Sequence, residues 1–104
     1  MIAGYRQLIA RARARGLEVL GATITPYGGA FYYSEEGEAV RQAINTWIRT
    51  SKEVDGVLDF DAAIRDPARP THMKDGFHSG DFLHGSDAGY AAMAAAIDPA
   101  LLKR

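Results

Sequence analysis

Six residues in one irregular stretch have the side chains and the spacing to do chemistry. "HMKDGFHSGDFLHGSD" runs from residue 72 to 87 and sets His72, Asp75, His78, Asp81, His84 and Asp87 three apart. Every histidine of the chain lies in it. Imidazole and carboxylate together suit two kinds of site. They can ligate zinc, which accepts nitrogen and oxygen donors in tetrahedral geometry. They can also form the orienting half of a serine-hydrolase triad. There a carboxylate fixes the imidazole tautomer, and the imidazole takes the nucleophile's proton.

The two readings make different demands on backbone geometry. Histidine metal motifs set two ligands on one rigid element, such as positions i and i+4 of a helix. A period of three in a glycine-containing loop defines no common face, so neither a metal nor a cofactor is expected. A metal-binding protein using His72, His78 and His84 stands as the weakest of three alternatives. The pair Asp81 and His84, separated only by "FL", fits the second chemistry. It lies in a loop just before a capped helix, at the end of an α/β pattern, where folds of that class place their sites.

The elements that must position this loop follow from periodicity. Ile2, Tyr5, Leu8, Ile9 and Ala12 recur at helical spacing, with Gly16 as a stop, and predict a helix over 2–15. The nearly continuous apolar run Leu17–Thr25 suits a strand of a parallel sheet. "PYGGAFYY" breaks regularity, and Ser34 with Glu35, Glu36 and Glu38 marks a helix start. Val40, Ala43, Ile44, Trp47 and Ile48 form its stripe over 35–50. Gly56–Phe60 is a second short strand, "DAAIRD" a helical turn stopped by Pro67, and 67–85 an aperiodic loop. A loop of that length in a compact domain is functional or awaits a partner. Ser86 caps a last helix, with Asp87 as a favourable charge in its first turn, and Asp98–Pro99 begin a final turn. The fold class is α/β, with about two parallel strands, three main helices and one crossover. Two strands make a poor sheet alone, and their open edges invite pairing with another chain.

Size and charge narrow the partners. A chain of 104 residues implies one domain, 1–104. Lys plus Arg is 12 and Asp plus Glu 13, for a net charge of −1, which calls for neither nucleic acid nor an acidic membrane. There is no cysteine, hence no disulfide and no thiolate metal site. "RARAR" in the first helix reads as a solvated face, and the start as a folded helix rather than a signal peptide. No segment has the apolar length to span a bilayer, so a soluble domain is expected.

"SGDFLHGSDAGYAAMAAAI" resembles the last block of the SGNH, or GDSL-like, esterases and lipases. That block reads D-x-x-H-P-N-x-x-G-Y-x-x-M-A before the final helix. "GATITPYGG", "YYSEEGEAVRQAINTWIRTS" and "GVLDFDAAIRDP" are similar to the C-terminal half of a secreted-type or carbohydrate-directed member. The resemblance implies a partial flavodoxin-like, three-layer unit and a carboxylic ester hydrolase acting on a small ester. It implies that Asp81 and His84 are the triad Asp and His, with no catalytic part for His72, Asp75, His78 or Asp87. Tyr27 and Phe82 are candidates for lining the substrate, although Tyr27, Phe31, Tyr32 and Tyr33 serve equally to pack a long loop.

The sequence departs from the family at three points. Phe82 stands where a polar residue is common. Gly85 replaces Pro and is expected to loosen the turn holding His84. The Gly-Asp-Ser nucleophile block and the Gly and Asn blocks of the oxyanion hole are absent. Of Ser34, Ser51, Ser79 and Ser86, only Ser79 is near enough in sequence to serve as an improvised nucleophile. The chain thus reads as a half-length hydrolase whose serine comes from elsewhere, or else as an inactive, homo-oligomerising module that pairs through its open sheet edge or a swapped helix.

Overall fold

The computed structural model describes residues 1–103. Helix α1, Ile2–Ala14, ends where Gly16 takes a left-handed φ of 73°. The Leu17 N–H bonds the Ala12 carbonyl at 3.0 Å and the Gly16 N–H bonds the Arg13 carbonyl at 2.9 Å. This is a Schellman closure, which a Cβ at Gly16 would disfavour. Strand β1, Leu20–Ala22, pairs in parallel with β2, Gly56–Leu58, with Leu20 opposite Gly56. Helix α2, Glu35–Thr50, connects them. Ser34 Oγ caps α2 by accepting from the Gly37 N–H at 3.0 Å.

Both strands are shorter than their apolar runs. At one end of β1 the Ile24 N–H and carbonyl bond the Asn45 side chain, at 2.7 and 2.9 Å, instead of a neighbouring strand. At the end of β2, Asp59 leaves the ladder to cap helix α3, Phe60–Ile64, by accepting from the Ala62 N–H at 3.1 Å. Beyond α3 the aperiodic reading of 67–85 is corrected in part. Arg65–Asp66 (β3) and Arg69–Met73 (β4) form an antiparallel hairpin with an irregular register. Asp66 organises its tip by accepting from the Ala68 N–H at 2.9 Å. Helix α4, Asp87–Ala95, and a single 3₁₀ turn, Pro99–Leu102, complete the order. No helix among the described residues is long and apolar enough to cross a membrane.

The buried face of α2 also differs from its apolar stripe. Val40 and Ala43 are exposed, whereas Glu38, Arg41, Ile44, Asn45 and Ile48 are buried. A charge network turns the helix this way. Arg41 is 2% exposed and Asp61 is 1% exposed. Arg41 donates to both Glu38 oxygens at 2.8 Å, to Asp61 Oδ1 at 2.7 Å, and to the Ile24 and Pro70 carbonyls at 3.0 and 3.3 Å. Asp61 Oδ2 accepts from Arg49 at 2.7 Å and Arg65 at 2.9 Å. Thr23 Oγ1 donates to Asp59 at 3.0 Å and accepts from the Asp61 N–H at 2.9 Å. Burial opposes the charge of Asp61, but bonds from Arg49 and Arg41 outweigh it and hold its pKa below the ordinary value.

Removing one partner from such a network strands the others. Asp61→Ala is expected to cost about 3–5 kcal/mol in urea unfolding, while Val40→Ser stays within about 0.5 kcal/mol. Equal effects would contradict the network's role. A second expectation concerns acid. Bonds from Arg49, partly opposed by burial, hold the Asp59 carboxyl at about 2, below its ordinary 3.8. A depressed folded pKa stabilises above the unfolded value and is lost as pH falls through the folded one. Stability should therefore decline between pH 3.8 and about 2, and less steeply in Asp59→Asn. Parallel pH–stability curves for the two proteins would refute this.

Candidate active site

The loop between β4 and α4 is built by side chains that collect backbone N–H groups. Asp81 Oδ1 accepts from the Leu83 and His84 N–H groups, each at 2.9 Å, and from Ser79 Oγ at 3.2 Å. Asp81 Oδ2 meets His84 Nδ1 at 2.6 Å. The carboxylate thus fixes the backbone and the ring of the same residue. The His84 bond and then the Leu83 and His84 N–H groups hold the Asp81 carboxyl well below the usual carboxylate range. A carboxylate at Nδ1 favours the tautomer with its proton on that nitrogen and the lone pair on Nε2. The His84 side chain is 68% exposed, so its far edge opens to solvent.

The ends of the loop are tied together. His78 and Gly85 form an antiparallel bridge, and the Ser79 N–H donates to the His84 carbonyl at 2.9 Å. The turn expected to loosen at Gly85 is therefore held by a short ladder, with the Tyr90 ring packed over Gly85. At the top of the loop Phe82 has a φ of 61°. A left-handed backbone costs a residue with a Cβ about 1–2 kcal/mol. Beneath the loop, a Cβ at Gly89 of α4 would overlap the Phe77 carbonyl oxygen and lie 3.0 Å from its carbon. Ser86 caps α4 by accepting from the Gly89 N–H at 3.1 Å, and its hydroxyl donates to the Gly76 carbonyl at 2.5 Å. The site loop is thus seated directly on the first turn of α4.

The remaining candidates lie in different surroundings. His72 Nδ1 is 3.0 Å from Thr71 Oγ1 and packs against Gly28. Asp75 meets Arg69 at 3.4 Å, and Asp87 lies in the first turn of α4. No group of three or more His, Asp or Glu among the described residues could hold a metal ion. Tyr27 packs its ring against Tyr33, with centroids 5.2 Å apart, and its hydroxyl lies over Gly37 at the start of α2. Phe82 covers Gly29 of the same aromatic loop, where a Cβ would come within 3.1 Å of its ring. Phe82 therefore links that loop to Asp81 and His84. Ser79 gives its hydroxyl to the carboxylate, on the Nδ1 side of the imidazole, and not to the Nε2 edge that a nucleophile must face.

The order of these parts, an α/β crossover followed by an Asp–His loop on a capped helix, has a counterpart among known families. The profile of the GDSL-like Lipase/Acylhydrolase family matches residues 1–92. The chain belongs to that family. A solved structure, a GDSL-like lipase from Bacteroides thetaiotaomicron VPI-5482, superposes with a TM-score of 0.68 at 18% identity. The match covers 97% of this chain and 49% of that lipase, so the chain spans about half its length. No curated protein matches. The likeness shows a fold fragment common to a GDSL-like lipase and this chain, and the Asp–His geometry of the loop stands on its own distances.

Sequence reasoning missed how the loop closes. His78, set aside as a polar loop residue, bridges Gly85 and accepts backbone N–H groups. A histidine three residues before an aspartate carried no signal for this. The seat on α4 gives a direct test. Gly89→Ala is expected to destabilise the protein by about 1–3 kcal/mol through overpacking. The backbone amide resonances of residues 76–79 should shift in the same variant, and unshifted resonances would contradict the close approach.

Proposed function

We propose that this chain carries the acid–base half of an SGNH/GDSL-type carboxylic ester hydrolase acting on small esters, carbohydrate esters included. The observation that carries the reading is the 2.6 Å contact between Asp81 Oδ2 and His84 Nδ1, which leaves Nε2 open. His84 takes the nucleophile's proton through Nε2 and returns it to the leaving alkoxide. Asp81 stays ionised and stabilises the imidazolium. Phe82, beside the pair, forms an apolar rim for the acyl or alcohol group.

The nucleophile is drawn from polypeptide beyond residues 1–104. Ser34 and Ser86 are occupied as caps, Ser51 closes α2, and Ser79 is turned to the carboxylate. That polypeptide also brings the oxyanion donors, one of which is worth ~10²–10³ in rate. The free edge of β1 is its seat. Val19 and Thr23 make their backbone bonds toward β2, so the alternate residues Leu20 and Ala22 direct theirs to the open side. An apolar groove of about 190 Å³ borders β1, lined by Tyr5, Leu8, Val19, Leu20, Trp47 and Val54 among others. Leu8, counted in the core stripe of α1, is 65% exposed at this groove.

The same edge supports a second reading, a module that pairs with its own copies. Two measurements bear on these readings. With the polypeptide that supplies the serine and the oxyanion donors present, His84→Ala is expected to lower the rate of p-nitrophenyl acetate hydrolysis above background by about 10²-fold, with Ser79→Ala within about two-fold of wild type. A rate that neither substitution changes removes the hydrolase reading. In sedimentation equilibrium the isolated chain should dimerise with rising concentration. Ala22→Pro removes an outward N–H and should suppress this. A compact monomer at high concentration would contradict pairing through the edge.

A further inference from the structure

The loop places a second imidazole in a role that the Asp–His pair depends on. His78 Nδ1 accepts from the Gly80 N–H at 3.0 Å and from the Phe82 N–H at 3.4 Å. Its ring stacks on the Phe82 ring, with centroids 4.4 Å apart and planes 29° apart. Its backbone bridges Gly85, the residue after His84. Asp81 lies between these contacts. On one side Gly80 and on the other Phe82 are pinned by His78, and both have positive φ, 109° and 61°. Those two dihedral pairs set where the Asp81 Cα stands and where its carboxylate points.

We propose that His78 is a positioning residue for the Asp81–His84 pair. Its neutral Nδ1 acts as a backbone acceptor, and its ring as a platform that holds Phe82 left-handed. Two acceptors then divide the work of one short loop. His78 gathers the N–H groups of Gly80 and Phe82, and Asp81 gathers those of Leu83 and His84. Without the first acceptor the Gly80–Phe82 backbone has no reason to stay left-handed, because Phe82 relaxes to negative φ at a gain. The carboxylate then turns away from Nδ1, and His84 loses its fixed tautomer. The role requires the proton of His78 on Nε2 and that of His84 on Nδ1, so the two imidazoles are opposite tautomers.

This inference rests on the reading of Asp81 and His84 as the hydrolase pair, but its test does not need activity. Long-range ¹H–¹⁵N spectra of the histidine rings, taken at a pH of about 8.5 where ordinary imidazoles are neutral, report which nitrogen carries the proton. The wild-type chain should show His84 protonated on Nδ1 and His78 on Nε2. His78→Ala should convert His84 to a tautomer mixture, and His78→Asn, whose Oδ1 can accept the same N–H groups, should restore the Nδ1–H form. If His78→Ala fails to fold, Phe82→Gly in the same chain removes the left-handed cost and should recover folding. A wild-type His84 lacking the Nδ1 proton overturns the hydrolase pair itself. A His84 tautomer untouched by His78→Ala, or one that His78→Asn does not rescue, overturns the positioning role alone.

Discussion

The buried contact between Asp61 and Arg41 is the constraint that the rest of the structure accommodates. Taking a carboxylate and a guanidinium out of water costs several kcal/mol per ion, and their attraction offsets this only with good geometry and further bonds. Here the further bonds come from every direction. Glu38, Arg49, Arg65 and the carbonyls of Ile24 and Pro70 complete the two groups. The partners are spread over α2, α3, the hairpin and the segment after β1, so satisfying the charges fixes α2 against the end of β1, the start of α3 and the hairpin. A helix rotated to bury Val40 instead would leave Arg41 in water and Asp61 short of its partners.

This explains which parts of the fold could be read from the chain. The bounds of α2 were legible, because Ser34 and the acidic first turn act locally. Its buried face was not. Period alone favours Val40 and Ala43, and only the arrival of Asp61 from a distant segment makes a buried arginine the better choice. The strands were recognised but overextended for the same reason. Ile24 and Asp59 read as strand residues, yet the Asn45 and Arg41 side chains take the Ile24 backbone groups and the Asp59 side chain turns to cap α3. The hairpin at Arg65–Met73 was hidden because Pro67, Pro70 and an irregular register erase strand alternation.

At the site the balance is reversed. Asp81 and His84 are three residues apart, and the bonds that shape the loop around them span two to four residues. Such a motif reads directly in the sequence because little beyond the loop is needed to shape it. What stayed hidden was the identity of the acceptor for Gly80 and Phe82. Any of several side chains could serve, and the choice of His78 appears only once Phe82 is found left-handed.

Trp47 lines the groove between α1, β1 and α2. It is the single tryptophan of the chain. Tyr5 stacks on its ring at 6.0 Å, and its buried Nε1 has no hydrogen-bond partner among the described residues. A buried donor without an acceptor is uncommon and costs free energy for as long as it stays so. The surroundings of the indole change with whatever enters the groove beside β1. Because this one chromophore dominates the near-ultraviolet emission, the groove has a built-in optical reporter. A change in the surroundings of Trp47 is thus written into the fluorescence of the protein without any label.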